Sequence, residues 1–320
     1  MSKFRISLFL AIFYLFGVNS VVFAQQNLII NHYAKPDFPG GSQNWSVSIS
    51  EQGTVNVANN KGLIVLDRRG QSLFQTPDKL SVRSVKAHEN TIYTGSFEEM
   101  GFWEKDNQSK LVYKSLIPLL GNYELKNDEF WKIAVKDSLV YFQSFGSIFR
   151  YNGKSLRALK LPGTVLLILE AANRLFVQQI DGQLFEIIDD QIIPIANTSI
   201  FSDTEVKSMI ALDENPFLVG TSSKGLFIWD GKSIKPWNKV AIDSALIRYK
   251  LNNGIRVNDN VLAFGTIQNG LFLIDMEGNI LDHINTSNGL QNNTVLAIHA
   301  TKEGDLWAGL DQGLDFIWLQ

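Results

Sequence analysis

A seven-bladed, all-β propeller with four-stranded blades is predicted by three features of the chain. A strand–turn–strand unit recurs seven times, its copies lie about forty residues apart, and an unpaired strand near the N-terminus matches the outer strand of a later copy. The unit is plainest in residues 217–229, 261–274 and 305–316, each an apolar strand, a polar turn and a second apolar strand. Earlier copies occupy residues 55–66, 92–103, 140–149 and 175–185. One glycine per copy (Gly62, Gly101, Gly146, Gly182, Gly225, Gly270 and Gly313) falls at intervals of 36 to 45 residues, the length of a blade. A tight turn between paired strands needs positive φ, which glycine adopts without a steric clash, so all seven are expected at the turn.

The other two strands of each blade follow from the flanking segments. An apolar stretch precedes each pair, as in residues 206–212 and 295–299, and a looser amphipathic one follows, as in residues 280–284. No stretch sustains a 3.6-residue apolar period with helix caps, which argues against a helical solenoid of similar repeat length. The last copy reaches Gln320 with three strands, and residues 28–33 form a strand without a partner in their own copy. Asn31-His32-Tyr33 matches Asp282-His283-Ile284, and each is followed by a polar, glycine-containing loop and an inner strand starting at Trp45 or Val295. The N-terminal strand is therefore expected to complete blade seven and close the ring.

Residues 1–24 read as a signal peptide and residues 25–320 as the propeller. Lys3 and Arg5 precede an apolar run over residues 6–18, and Val22-Phe23-Ala24 supplies a cleavage site after Ala24. An uncleaved membrane anchor is the alternative. The expected location is the periplasm. A net charge of −3, with no local Lys/Arg cluster, excludes a phosphate-binding field and so nucleic acid. The absence of cysteine excludes disulfides, thiolate metal sites and cysteine nucleophiles.

Catalytic patterns are missing. His32, His88, His283 and His299 are scattered without metal-ligand spacing, and His32 and His283 hold equivalent outer-strand positions. There is no nucleophile elbow, P-loop, dinucleotide fingerprint or calcium loop, so no cofactor or metal is expected. Two acidic pairs, Glu98-Glu99 and Asp189-Asp190, fall in turns, the second expected to be solvated. A binding site is easier to motivate, since propellers gather the loops leading into their inner strands around a central depression. Trp45, Arg83, Trp131, Lys207 and Arg256 are placed there by the repeat, with Glu98 and Glu99 on the middle turn of blade two. Aromatic faces beside Arg and Glu would suit an oligosaccharide, although Trp45, Trp131, Trp229 and Trp307 also lie where aromatics wedge between blades.

Taken together, Gly41 to Trp45, Ala58 to Leu63, Val82-Arg83-Ser84 with Gly95 to Phe102, and Asn288 to Val295 give the chain a family likeness. It resembles the periplasmic propeller of bacterial two-component regulators, especially the triple-tyrosine, LuxR-type regulators of the Bacteroidetes. The resemblance implies a non-catalytic sensor that takes an oligosaccharide or protein ligand, signals as a homodimer, and reaches the membrane only through a region beyond Gln320. Residues 27–320 contain no triple-tyrosine domain, kinase core or helix-turn-helix, so no DNA binding or phosphotransfer is credited to them. The alternatives are a secreted polysaccharide lyase or hydrolase using Glu98, and a protein-interaction scaffold.

Overall fold

The computed structural model describes residues 28–212 and 216–319; the expected signal peptide lies outside them. Seven four-stranded antiparallel sheets are arranged as a ring, one per repeat. The inner strands are Asn44–Ile49, Ser84–His88, Lys132–Lys136, Val165–Ala171, Val206–Ala211, Leu251–Arg256 and Val295–Ala300, for blades one to seven in order. Each packs on the inner strand of the next blade, and the seventh packs on the first. Every strand alternates its side chains between two faces, and in a blade both faces meet a neighbour. The buried core accordingly divides into seven clusters, each drawn from two adjacent blades. Trp229 and Trp307 are buried in two of them, as the wedge reading expects.

Ring closure follows the expectation. Ile29–Tyr33 pairs with Leu314–Trp318, Ile29 opposite Trp318 and Tyr33 opposite Leu314, so that blade seven takes its outer strand from the other end of the chain. A buried charge marks this seam. Asp315, with no exposed side-chain surface, accepts hydrogen bonds from the Gln291 backbone N–H (2.9 Å) and side-chain amide (2.6 Å), and its Oδ1 lies 2.7 Å from His32 Nδ1. A carboxylate taken out of water needs such partners. His283 is equivalent to His32 in register and equally structural: its ring stacks on Phe272 at 4.0 Å and its Nε2 meets the Asn269 carbonyl at 2.8 Å.

Two local readings are corrected. A helix, Val240–Tyr249, forms in the connection between blades five and six. It escapes the sequence because Lys239 supplies no side-chain cap and only Ile242 and Leu246 are buried, too short a stripe to read as a period. Asp243 does the capping instead, accepting from Lys239 N–H (3.1 Å) and from Leu226 N–H (2.8 Å) in the sheet. The turn glycines are also less uniform than their spacing suggests. Gly62, Gly225, Gly270 and Gly313 hold one equivalent register position with positive φ, whereas Gly101 lies two residues inside its strand opposite Thr94. There a Cβ would meet the Lys114 carbonyl and the Tyr113 ring, and the turn's left-handed residue is Glu98 (φ 49°). Blade two therefore keeps its glycine for a close approach rather than for a turn.

Candidate functional site

The side chains that meet at the channel mouth come from one repeat position. Near its start, the inner strand slips by one residue against the second strand in blades one, four, five, six and seven, a β-bulge at Trp45, Leu166, Lys207, Asn252 and Leu296. In blades two and three, Arg83 N–H and Trp131 N–H bond the carbonyls of Gly95 (2.8 Å) and Gln143 (2.9 Å), which places these residues equivalently. A bulge leaves its extra residue outside the ladder and re-aims its side chain. All seven are half-buried. The upper face, where inner strands begin, thus carries a ring of Trp, Arg, Trp, Leu, Lys, Asn and Leu.

Within that ring three consecutive blades come together. The Arg83 guanidinium lies 4.4 Å from the Trp45 ring and 5.4 Å from the Trp131 ring, while its Nε donates to Glu129 Oε1 at 2.6 Å. The two indoles meet edge to face at 6.1 Å, and Trp131 reaches Phe145 at 6.0 Å. The Nε1 atoms of Trp45 and Trp131 are buried with no hydrogen-bond partner among the described residues. Such donors are costly to leave unpaired.

Next to Trp131 in the inner strand of blade three stands Lys132. Its side chain is exposed. Desolvation first, and then the nearby charge of Lys207, lower its pKa. Among the described residues Lys132 has no acidic partner, while Lys207 is paired with Glu205. Further down the channel, Lys86 of blade two reaches across blade three to Glu170 of blade four (2.8 Å), which also accepts from Val135 N–H (3.2 Å). His299 of blade seven lies near this pair, and burial chiefly, then Lys86, pushes its pKa down to about 4.

The remaining candidates do not converge on the mouth. Arg256 is at the far end of its strand, opposite Leu262, where it bonds the Leu212 carbonyl and pairs with Asp259 at 3.2 Å, so its expected place at the mouth is corrected. Glu98 accepts from Asn127 N–H at 2.9 Å in the connection to blade three. Glu99 turns outward to Tyr113 Oη and Ser115 Oγ, each 2.7 Å away, and burial raises its pKa. The two acids thus serve different neighbours and form no catalytic pair. Asp190, expected in solvent, is instead shielded and paired with Arg150 at 2.7 Å and Arg157 at 3.6 Å. Missed by the sequence reading were Lys132 and the aromatic tip Phe145. Lys132 could have been found as the residue one place beyond Trp131 in the repeat.

No protein-family model matches the chain, and no curated protein matches it in sequence. Among solved structures it is similar to the extracellular domain of a putative hybrid two-component system of B. thetaiotaomicron, with 17% identity and a TM-score of 0.68 over 90% of this chain and 39% of that one. A second such domain from the same organism gives 14% identity and a TM-score of 0.69 over 91% of this chain and 42% of the other. Virginiamycin B lyase from Staphylococcus aureus gives 11% identity and a TM-score of 0.67, over 92% and 99%. The chain thus spans about two-fifths of the length of those extracellular domains. At these identities the likeness is one of fold.

Proposed function

We propose that this chain is a non-catalytic, extracytoplasmic sensor propeller of a two-component or LuxR-type regulator, and that its ligand binds at the upper mouth of the channel. The observation that carries the reading is the cluster of Trp45, Arg83 and Trp131, residues at one repeat position of three successive blades, next to the unpaired Lys132. Stacking faces, unpartnered indole N–H donors and a cation together suit recognition, and none of them is a nucleophile or a poised acid–base pair. Likeness in fold to extracellular domains of putative hybrid two-component systems supports the same reading. A signal peptide ending at Ala24, a periplasmic location, homodimeric signalling and membership of the triple-tyrosine LuxR-type group complete the proposal.

The test is ligand-dependent melting. A panel of oligosaccharides and peptides is expected to contain a compound that raises Tm saturably and quenches indole fluorescence, with both responses lost in Trp131→Ala. No saturable response across the panel would overturn the reading. The lyase or hydrolase alternative requires turnover of a polysaccharide that disappears in Glu98→Gln. Glu98 accepts from the Asn127 backbone N–H while Glu99 turns to Tyr113 and Ser115, so that alternative has no paired acid behind it.

A further inference from the structure

We propose that the upper face docks a polypeptide which places a carboxylate side chain in the channel mouth, with Lys132 as its counter-ion. The inference rests on the reading of the mouth as a ligand site and names the class of ligand.

The first observation is a set of exposed apolar side chains at one repeat position. Phe97, Phe145, Ile180 and Ile267, at the tip of the middle turn in blades two, three, four and six, are 44%, 46%, 61% and 37% exposed. Turn geometry does not call for them, because the equivalent residues in blades one, five and seven are Asn60, Ser222 and Asp311. Polar side chains fit this turn and would be better solvated there. Large apolar groups gathered on one side of a soluble fold mark a protein-contact surface. A sugar, which presents a dense shell of hydroxyls, gains little from bare aliphatic tips.

The second observation is charge. Arg83 is already neutralised by Glu129 and Lys207 by Glu205, but Lys132 stands in the channel with no acid beside it among the described residues. An ammonium held among protein atoms with a second lysine nearby favours an incoming anion. A carboxylate side chain carried on an apolar segment satisfies both observations at once, its flanking residues covering the turn tips and its charge meeting Lys132.

Random peptides displayed on phage and selected on the immobilised chain provide the test. The expected result is enrichment of Asp or Glu flanked by apolar residues. Binding of a selected peptide, measured calorimetrically, should weaken at least tenfold in Lys132→Met and in Phe145→Ser while both keep the parental Tm, and should be unchanged in Asp230→Asn on the opposite face. Peptides without acidic bias, or binding indifferent to Lys132→Met, would overturn the proposal. Phe145 is exposed on the rim, so Phe145→Ser keeps the test decisive even if Lys132→Met lowers Tm. Tri-galacturonate binding at the mouth without any peptide binding would reject the polypeptide and leave the ligand site standing. Self-association lost in Phe145→Ser would assign the face to a second copy and also reject it. No binding by either probe removes both this proposal and the mouth as a ligand site.

Discussion

The two faces of the ring are built from the same repeat and use their turns in opposite ways. On the lower face, where inner strands end, the turns close on themselves. Asp67 accepts from Arg69 N–H, Asp106 from Gln108 and Lys110 N–H, Asp230 from Lys232 and Ser233 N–H, and Asp275 from Glu277 and Asn279 N–H. These backbone donors, with Ser233 foremost, hold the Asp230 pKa down to about 2. Such side chains are committed to local backbone and have little left for a ligand. On the upper face the turn tips include bare Phe97, Phe145 and Ile180, and the starts of the inner strands beside them hold Trp45, Arg83 and Trp131. Where a turn's groups are not needed by the fold, a partner can use them.

The comparison breaks most severely if the support under the upper face is removed. Asp315→Ala should cost about 3 kcal/mol, because it strips the seam of a buried carboxylate and frees the Gln291 loop that leads into blade seven. Urea denaturation should report it as a lower midpoint, and hydrogen exchange should rise in blade seven before blade one. His299 gives a smaller, pH-dependent effect. The unfolded histidine takes up a proton near pH 6.5 and the folded one only near pH 4, so stability present above pH 6.5 is lost as the pH falls through that window. The loss should be on the order of 2 kcal/mol, and His299→Gln should flatten the urea midpoint between pH 7 and pH 4.5.

Sharper contrasts come from the faces themselves. Arg83→Ala removes two cation–π contacts and the Glu129 ion pair, so about 1 kcal/mol of stability and most ligand binding should go together, read by thermal melting and calorimetry. The double change Phe97→Ser, Phe145→Ser should leave stability within about 0.5 kcal/mol while weakening binding, because both side chains are on the surface. Asp230→Asn should do the reverse: binding is untouched, and the acid-side stability that Asp230 contributes above its unfolded pKa, and loses as the pH falls toward about 2, disappears. If the lower-face change altered binding as much as the upper-face one, the functional division between the faces would fail.

Much of this architecture could be read from residue order. Period-two apolar strands and polar turns repeat seven times, and each strand's burial depends mainly on neighbours within its own repeat and the next. The match between Asn31-His32-Tyr33 and Asp282-His283-Ile284 likewise carried the closure of blade seven, because equivalent strands need equivalent side chains. The helix Val240–Tyr249 was illegible, since its cap comes from Asp243 inside it and its two buried residues are matched to blades five and six. Arg256 was misplaced because a strand's two ends look alike in sequence while they open on opposite faces of the ring.

The sequence by itself determined the number of blades, their strand order and the strand that closes them, since short-range pairing and alternating burial are written locally. Only the tertiary structure decided which side chains share the channel mouth. Trp45, Arg83 and Trp131 come from three blades, and they meet because the ring brings one repeat position of successive inner strands together. That convergence depends on closure and register, which no single repeat contains.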